Sequence, residues 1–353
     1  MEFIPGLPED IGLECLTRLD YKAHGVASQV CHTWRNLLKS REFYVHRKQA
    51  GMTHHVGCLI QSLPPVPANS EGGGGGGEGV KQPAGGGGAA GAPSYGITVY
   101  DSASGEWERL DPVPKYPDGI PLFSQIVSVE GKLVLMGGWN PTSWNPITDL
   151  FIYDFTTQRW KQGRELPSKR SFFASAVLDG KVFIAGGHDE SKNALKTAWA
   201  YDLRNDEWSE LAQLSEERDE CEGIVIGNEF WVVSGYGTEH QGRFEASAEC
   251  YQLGTGEWRR VEEAWTVGKC PRACVGVGKD GKSLINFSEL DSLVGVGTYA
   301  VELGNRTNLV TGVTYLGAPQ GFFLVEGQNG KLVKIDVPEE FTGFVQSGCS
   351  LEI

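Results

Sequence analysis

The chain of 353 residues has little of what marks nucleic-acid-binding, membrane or secreted proteins. Its 31 Lys and Arg are outnumbered by 45 Asp and Glu, for a net charge of −14, so it lacks the clustered positive charge that phosphate backbones require. No apolar run approaches the roughly 18 residues of a membrane span, and the N-terminus has no signal-peptide pattern. We expect neither nucleic acid nor membrane as a partner, and a location in the cytoplasm, the nucleus or both.

Motifs for metals and cofactors are also scarce. The 8 cysteines form no CxxC pair, and the one close pair, Cys270 and Cys274, has no neighbouring histidine, which argues against zinc. The 7 histidines show neither an HxH nor an HxxxH spacing. We predict free thiols, no metal, no cofactor and no catalytic residues.

Residues 1–50 have the pattern of a small helical domain. Pro8 followed by two acids is typical of a first helical turn, and Asp20 and Ser40 are suited to cap later helices. So short a segment cannot bury all of its apolar side chains. We expect it to dock on a partner or on the following domain, the alternative being a helical cap on that domain.

Residues 63–94 are dominated by glycine and proline, with long glycine runs and almost no apolar side chains. Such a segment cannot offset its ordering entropy. It also lacks the Lys-Ser/Thr that closes a phosphate-binding loop. We predict a disordered insert.

The rest of the chain repeats with a period of about 49 residues. Four segments carry a Tyr and a Trp seven positions apart: Tyr100 and Trp107, Tyr153 and Trp160, Tyr201 and Trp208, and Tyr251 and Trp258. Glycine pairs at 137–138 and 186–187 end apolar runs with the same period. Each unit has the pattern of four strands, a to d, which predicts an all-β propeller.

The length available favours six blades with eroded final members, and five is the alternative. The insert of residues 63–94 falls within the first blade, between its strands b and c. This blade lacks a strand a. Residues 350–353 can supply that strand, which would close the ring and remove both sheet edges.

Two sets of residues resemble known families. The sequences LPEDI at 7–11, LECL at 13–16 and VCHTWR at 30–35 resemble the F-box, and the Gly-Gly and Tyr…Trp repeat resembles the kelch repeat. In this order they resemble plant F-box/kelch-repeat proteins, the substrate receptors of Skp–cullin–F-box ubiquitin ligases. The resemblance implies an F-box domain over 1–50 and a kelch β-propeller over 51–353. It also implies a non-catalytic receptor that presents a target protein for ubiquitination and proteasomal degradation.

By the same resemblance, the F-box binds the Skp adaptor, called ASK in plants, and through it cullin. The residues expected at that contact are Leu7, Pro8, Ile11, Leu16, Val30, Cys31 and Trp34. Some of them must instead hold the domain's own fold. Residues 340–349 resemble the subgroup that acts on phenylpropanoid and flavonoid enzymes or on cytokinin-response regulators, which suggests a class of target.

The long b–c and d–a loops of an antiparallel propeller meet on one face, and binding residues concentrate in such loops. We expect the target there, on Tyr116, Trp139, Asn140, Trp144, Arg170, His188, Arg218, Tyr236 and Arg272. The three arginines precede strands a and would form a ring able to pair with acidic target side chains. The alternative is that they pair with the propeller's own carboxylates.

Two other functions are compatible with a kelch propeller. An enzyme would need a metal or catalytic cluster, and the scattered histidines do not provide one. A kelch scaffold or interaction protein without a ligase role is the alternative to the receptor, and the F-box resemblance argues against it.

Overall fold

The computed structural model describes residues 3–64, 94–272, 274–278, 280–304, 307–316, 318–326 and 330–353. The predicted disordered insert therefore lies, apart from its ends, outside the described residues. The helices are α1 (Glu9–Thr17), α2 (Tyr21–Ala27), α3 (His32–Leu38) and α4 (Arg41–Gln49). They form the small helical domain that the first 50 residues predict.

Two of these helices have the caps that the sequence predicts, and α3 has a third cap that it does not. The Asp20 carboxylate accepts from the Lys22 N–H at 2.8 Å, and the Ser40 hydroxyl accepts from the Phe43 N–H at 3.1 Å. Cys31 caps α3 with its sulfur, 3.4 Å from the Trp34 nitrogen. The domain packs around a small apolar core of Leu16, Ala27, Leu38 and Phe43.

The strands follow in chain order. They are β1 (His55–Ser62), β2 (Tyr95–Asp101), β3 (Glu106–Arg109), β4 (Gln125–Val129), β5 (Lys132–Met136), β6 (Leu150–Asp154), β7 (Arg159–Gln162), β8 (Ala174–Leu178), β9 (Lys181–Ala185), β10 (Ala198–Asp202), β11 (Glu207–Glu210), β12 (Glu222–Ile226), β13 (Glu229–Val233), β14 (Ala248–Gln252), β15 (Glu257–Val261), β16 (Val275–Val277), β17 (Leu284–Asn286), β18 (Val296–Glu302), β19 (Thr307–Val313), β20 (Gly321–Glu326), β21 (Val333–Lys334) and β22 (Val345–Glu352).

The strands form a β-propeller with five complete blades. Blade one has the order β22-β1-β2-β3, blades two to four are β4–β7, β8–β11 and β12–β15, and the last blade is β18–β21. Between blade four and the last blade stands a two-stranded sheet, β16 and β17, which we call the fifth position. The innermost strands, including β16, line a central channel of about 670 Å³. The predicted propeller is thus confirmed; its five complete blades within the described residues match the alternative count and not the preferred six.

Closure of the ring uses both ends of the propeller. The C-terminal β22 pairs antiparallel with β1, with Cys58 opposite Cys349. This strand is longer than the segment 350–353 predicted for the role, but it occupies the predicted place. Because β22 fills the first position of blade one, the sheet edge that β1 would otherwise expose is paired.

The paired aromatics explain the repeat. Tyr153 and Trp160 are directly opposite in β6 and β7, with ring centroids 5.0 Å apart. The Trp160 indole N–H then donates to the Asp111 carbonyl of the preceding blade at 2.8 Å. Trp208 and Trp258 make the same contact to Arg164 and Ala212. Each of these three tryptophans therefore joins two neighbouring blades.

The double glycines stand where backbones approach closely. Gly186 and Gly187 have φ of 68° and 81°. A Cβ at Gly187 would lie 2.4 Å from the Ser171 carbonyl oxygen, and one at Gly186 would lie 2.5 Å from that of Arg218. Only glycine fits without displacing backbone, as the sequence predicts.

The helical domain rests on blades one and two, on the face of their short turns. Tyr21 enters the core of these blades, 6.2 Å from Phe155 between ring centroids. Ion pairs join Arg41 to Glu130 at 2.6 Å and Lys48 to Glu352 at 2.5 Å, and Lys22 pairs with Glu106. The domain is therefore attached to the face opposite the long b–c and d–a loops.

Candidate protein-binding surfaces

The helical domain leaves several apolar side chains exposed. Ile11 is 46% and Val30 63% exposed, and Pro8 and Cys31 are exposed beside them in sequence. These four residues are available to a partner. Val26, which the sequence analysis did not select, is 73% exposed on α2. Its exposure follows from how α2 packs, which spacing alone does not reveal.

Two of the other residues predicted for the adaptor contact, Leu16 and Trp34, help to hold the domain together. Leu16 is 1% exposed in the helical core, so its side chain cannot also meet a partner. Trp34 is partly buried against the same core, and its indole N–H donates to the Phe3 carbonyl at 2.7 Å. Leu7 is half-buried. The prediction of Leu16 as a contact is corrected on this ground.

The predicted ring of free arginines is not present at its first two positions. Arg170 and Arg218 are 0% and 1% exposed. Arg170 donates to the carbonyls of Gly186 and Thr197, each at 3.3 Å. Each arginine thus joins the end of strand b to the start of strand c in its own blade, and neither guanidinium can reach a target.

The two buried arginines differ in charge balance. Arg218 pairs with Glu249 at 3.0 Å, and both side chains are 1% exposed. Arg170 has carbonyl and hydroxyl partners, and burial lowers its pKa to about 10. The alternative that the arginines pair within the propeller therefore holds for Arg218.

Arg272 occupies a different position from the other two. Cys221 Sγ contacts the Arg218 carbonyl oxygen at 3.3 Å, and Cys274 Sγ contacts that of Pro271 at 3.4 Å. Pro271 is thus the equivalent of Arg218, and Arg272 comes one residue later. Its guanidinium carbon lies 4.2 Å from the centre of the Phe172 ring, at the mouth of the channel that Arg272 helps to line.

Three more predicted contacts are buried and hydrogen-bonded. The Tyr116 hydroxyl donates to Asp149, and burial together with this bond raises the Tyr116 pKa. His188 Nδ1 lies 2.8 Å from the Asp219 carboxylate, and the Tyr236 hydroxyl donates to Glu220 at 2.9 Å. At 8%, 5% and 5% exposure respectively, these side chains shape the loops and are not exposed contacts for a target, which corrects their prediction as binding residues.

The remaining predicted loop residues are more accessible. Trp144 is 46% exposed, and Trp139 and Asn140 are half-buried. The Asn140 side-chain oxygen accepts from the N–H groups of Thr142 and Ser143 at 2.8 and 2.9 Å. Asn140 therefore orders the loop that presents Trp144.

A group of exposed apolar residues on the same face was missed. We call Leu293, Tyr315, Leu316 and Phe344 the apolar rim; they are 44%, 66%, 86% and 47% exposed. All lie in connections at the b–c and d–a end of the last blade and of blade one. The repeat signal fades in this part of the sequence, so its loops could not be assigned.

The described residues hold no group of three or more His, Cys, Asp or Glu placed to bind a metal. All eight cysteines are free thiols. No helix in the described part of the chain is long and apolar enough to cross a membrane.

Comparison with known proteins agrees with this architecture. The F-box domain model matches residues 4–46, and the KLHDC2/KLHL20/DRC7 kelch-repeats domain model matches residues 84–285. F-box/kelch-repeat protein At1g15670 of Arabidopsis thaliana is 32% identical over the full length of both chains. The chain belongs to the plant F-box/kelch-repeat family.

Two further members of this F-box/kelch family match a large part of the chain. F-box/kelch-repeat proteins At2g44130 and SKIP20 of Arabidopsis thaliana are each 38% identical over 75% of this chain, covering 66% and 67% of their own lengths. Among solved structures, the one titled "Structure of YjhT" has a TM-score of 0.46 and 12% identity, covering 71% of this chain and 80% of its own. The two domain models and the Arabidopsis relatives confirm the family resemblance read from the sequence.

Proposed function

We propose that this F-box/kelch protein is the substrate receptor of a Skp–cullin–F-box ubiquitin ligase. Its helical domain would dock on the Skp adaptor, and the long-loop face of the propeller would hold the target protein. The main support for the proposal is that exposed large apolar side chains are concentrated at two opposite ends of the molecule. Ile11, Val26 and Val30 lie on the helical domain, and Trp144, Val267 and the apolar rim lie on the long-loop face.

The attachment between the two domains fits this role. Tyr21 is buried in the propeller core, and Arg41 and Lys48 form ion pairs with Glu130 and Glu352 of the propeller. A target held on the opposite face would therefore stand at a defined distance from the adaptor. Such a receptor accelerates ubiquitination by proximity, since it raises the effective concentration of target near the ligase while other subunits perform the chemistry.

The target class rests on resemblance alone. Residues 340–349 resemble the subgroup acting on phenylpropanoid and flavonoid enzymes or on cytokinin-response regulators, and we propose a target of one of these classes. We place the complex in the cytoplasm, the nucleus or both.

Capture of the chain by purified Skp adaptor tests the adaptor contact. We expect Ile11→Asp/Val30→Asp to weaken capture by about tenfold or more, because both carboxylates would be desolvated in the interface. Val333→Asp is the matched control, since Val333 is 60% exposed on the outer strand of the last blade. Deletion of residues 1–50 is a poor test, because it removes Tyr21 from the propeller core.

A folded native chain that the adaptor does not capture would refute the receptor role. A kelch interaction protein with a helical cap would then be the better description. Equal capture of the double variant and the native chain would instead move the contact away from Ile11 and Val30.

A further inference from the structure

The mouth of the central channel holds a cation, Arg272, that has no carboxylate partner in the part of the chain that the structure describes. Arg272 contacts the rings of Phe172 at 4.2 Å and Phe123 at 5.9 Å. No carboxylate within the described residues lies within ion-pair distance of it. An arginine stacked in this way is partly desolvated and held in one orientation, which favours pairing with an acceptor. It is also the only Lys or Arg among the described residues that line the channel.

The aromatic support of Arg272 is itself ordered. Phe123 and Phe172 occupy equivalent positions before β4 and β8, both with φ of 56°, and their ring centroids are 4.7 Å apart. His188 packs on Phe172 at 5.2 Å. The Arg272 side chain therefore rests on a fixed aromatic surface.

This surface continues to the apolar rim through blade one. The Phe123 N–H donates to the Gln346 side chain at 3.0 Å, and Phe344 stands two residues before Gln346. The Phe344 ring lies 3.4 Å from where a Cβ of Gly297 would be, at the start of β18. Because Val296 is opposite Val313 in β18 and β19, Leu293 and Tyr315 extend from this same end of the sheet.

The positive charge of Arg272 at the channel mouth determines which chemical group can bind there. The guanidinium offers only hydrogen-bond donors, in a geometry that suits a carboxylate. The same channel lining carries Glu222 and Glu302, which oppose an acidic partner, so pairing depends on direct contact with Arg272. The rest of the net charge of −14 opposes it only weakly, since charges beyond about 8 Å are screened at physiological ionic strength. The exposed rim, in contrast, gains free energy by covering an apolar side chain.

We infer that the target presents a segment whose Asp or Glu side chain pairs with Arg272 and whose neighbouring apolar side chain covers the apolar rim. The inference rests on the proposed function, because it describes the target that the receptor would hold. It names the chemistry of recognition at the channel mouth, which the family assignment leaves open.

Selection from a library of random short peptides on the purified full chain tests this inference. We expect enriched peptides to carry an acidic residue near a bulky apolar one, and the same selection on Arg272→Glu to lose the acidic preference. No enrichment on the native chain, or enrichment without an acidic residue, would overturn the inference.

One enriched peptide, made with an amidated C-terminus, then gives affinities. We expect Arg272→Gln to weaken its binding by about ten- to hundredfold, the range for a charge-assisted hydrogen bond. Leu316→Ser should weaken it severalfold. Arg243→Gln and Val333→Ser are matched controls: Arg243 is exposed in a loop of the same face, and Val333 is exposed on an outer strand, so both should bind as the native chain does.

Three results would contradict the inference: unchanged binding by Arg272→Gln, binding that requires a free C-terminal carboxylate, or binding that a phosphorylated serine supports and an aspartate does not. Adaptor capture by Arg272→Gln is measured in parallel. Retained capture with lost peptide binding assigns the effect to the channel mouth. A native chain that binds the peptides but not the adaptor would refute the receptor role and leave this site intact.

Discussion

Blades three and four share one repeat with the fifth position of the ring. They differ in the connection that leads into the first strand. In blades three and four this connection buries Arg170 and Arg218, each hydrogen-bonded to the end of strand b and the start of strand c. At the fifth position Pro271 is the equivalent of these arginines, and only two strands pair in the described residues. Arg272, one residue later, lies at the channel mouth. In blades three and four the arginine is structural because the complete blade supplies carbonyls that bind it, whereas at the incomplete fifth position Arg272 is available for recognition.

The largest effect should come from the arginine inside blade four. We expect Arg218→Met to lower the free energy of unfolding by about 3–5 kcal/mol, because Glu249 would remain buried without its partner. Urea denaturation followed by tryptophan fluorescence measures this loss. The double variant Arg218→Met/Glu249→Leu should recover most of it, since an apolar pair of similar volume has no buried charge. A single variant as stable as the native chain would break the comparison.

An effect of intermediate size on stability should distinguish blade two, a regular blade, from blade one, which closes the ring. The Trp160 indole N–H donates to the Asp111 carbonyl at 2.8 Å, whereas the buried Trp107 N–H has no hydrogen-bond partner in the described part of the chain. Replacement by Phe removes the same atoms from both tryptophans. We expect Trp160→Phe to lower the free energy of unfolding by about 1 kcal/mol more than Trp107→Phe, in the same urea experiment. Equal losses would show that the bond between blades adds no stability.

The smallest effect on stability should come from Arg272. Its guanidinium stacks on Phe172 and has no ion pair among the described residues. We expect Arg272→Gln to change the free energy of unfolding by less than about 0.5 kcal/mol, so that Tm by differential scanning calorimetry stays close to that of the native chain. A loss near that of Arg218→Met would make Arg272 a structural residue and remove the basis for its role in recognition.

The regular part of the fold was predictable because each repeat carries the same pattern of residues. Tyr153 and Trp160 meet across β6 and β7, and Gly186 and Gly187 accept a backbone approach that a side chain would block. The caps Asp20 and Ser40 act within three residues of themselves, so a local pattern sufficed. The number of complete blades was harder to predict, since the fifth position has a 3₁₀ turn beginning at Phe287 in place of the glycine pair.

The binding surfaces were predicted less well. The sequence predicted a binding face but selected for it Arg170, Arg218 and Tyr236, which are buried, and it did not select the exposed apolar rim. Residue type and loop position are readable from the chain. The direction in which a loop side chain points depends on which carbonyls and carboxylates the neighbouring loops bring within reach, and those come from distant parts of the sequence.

The family, the order of the two domains, the four-stranded repeat and the closure of the ring by the C-terminus could all be predicted from the sequence. These follow from local hydrophobic patterning and from motifs repeated along the chain. Only the tertiary structure decided that the helical domain rests on blades one and two through Tyr21, that Leu16 is core while Ile11 and Val30 are exposed, and that Arg272 alone of the three arginines lies at the channel mouth. The physical reason is that burial and pairing are properties of contacts between segments, and a change of one position in a loop exchanges a buried guanidinium for an accessible one.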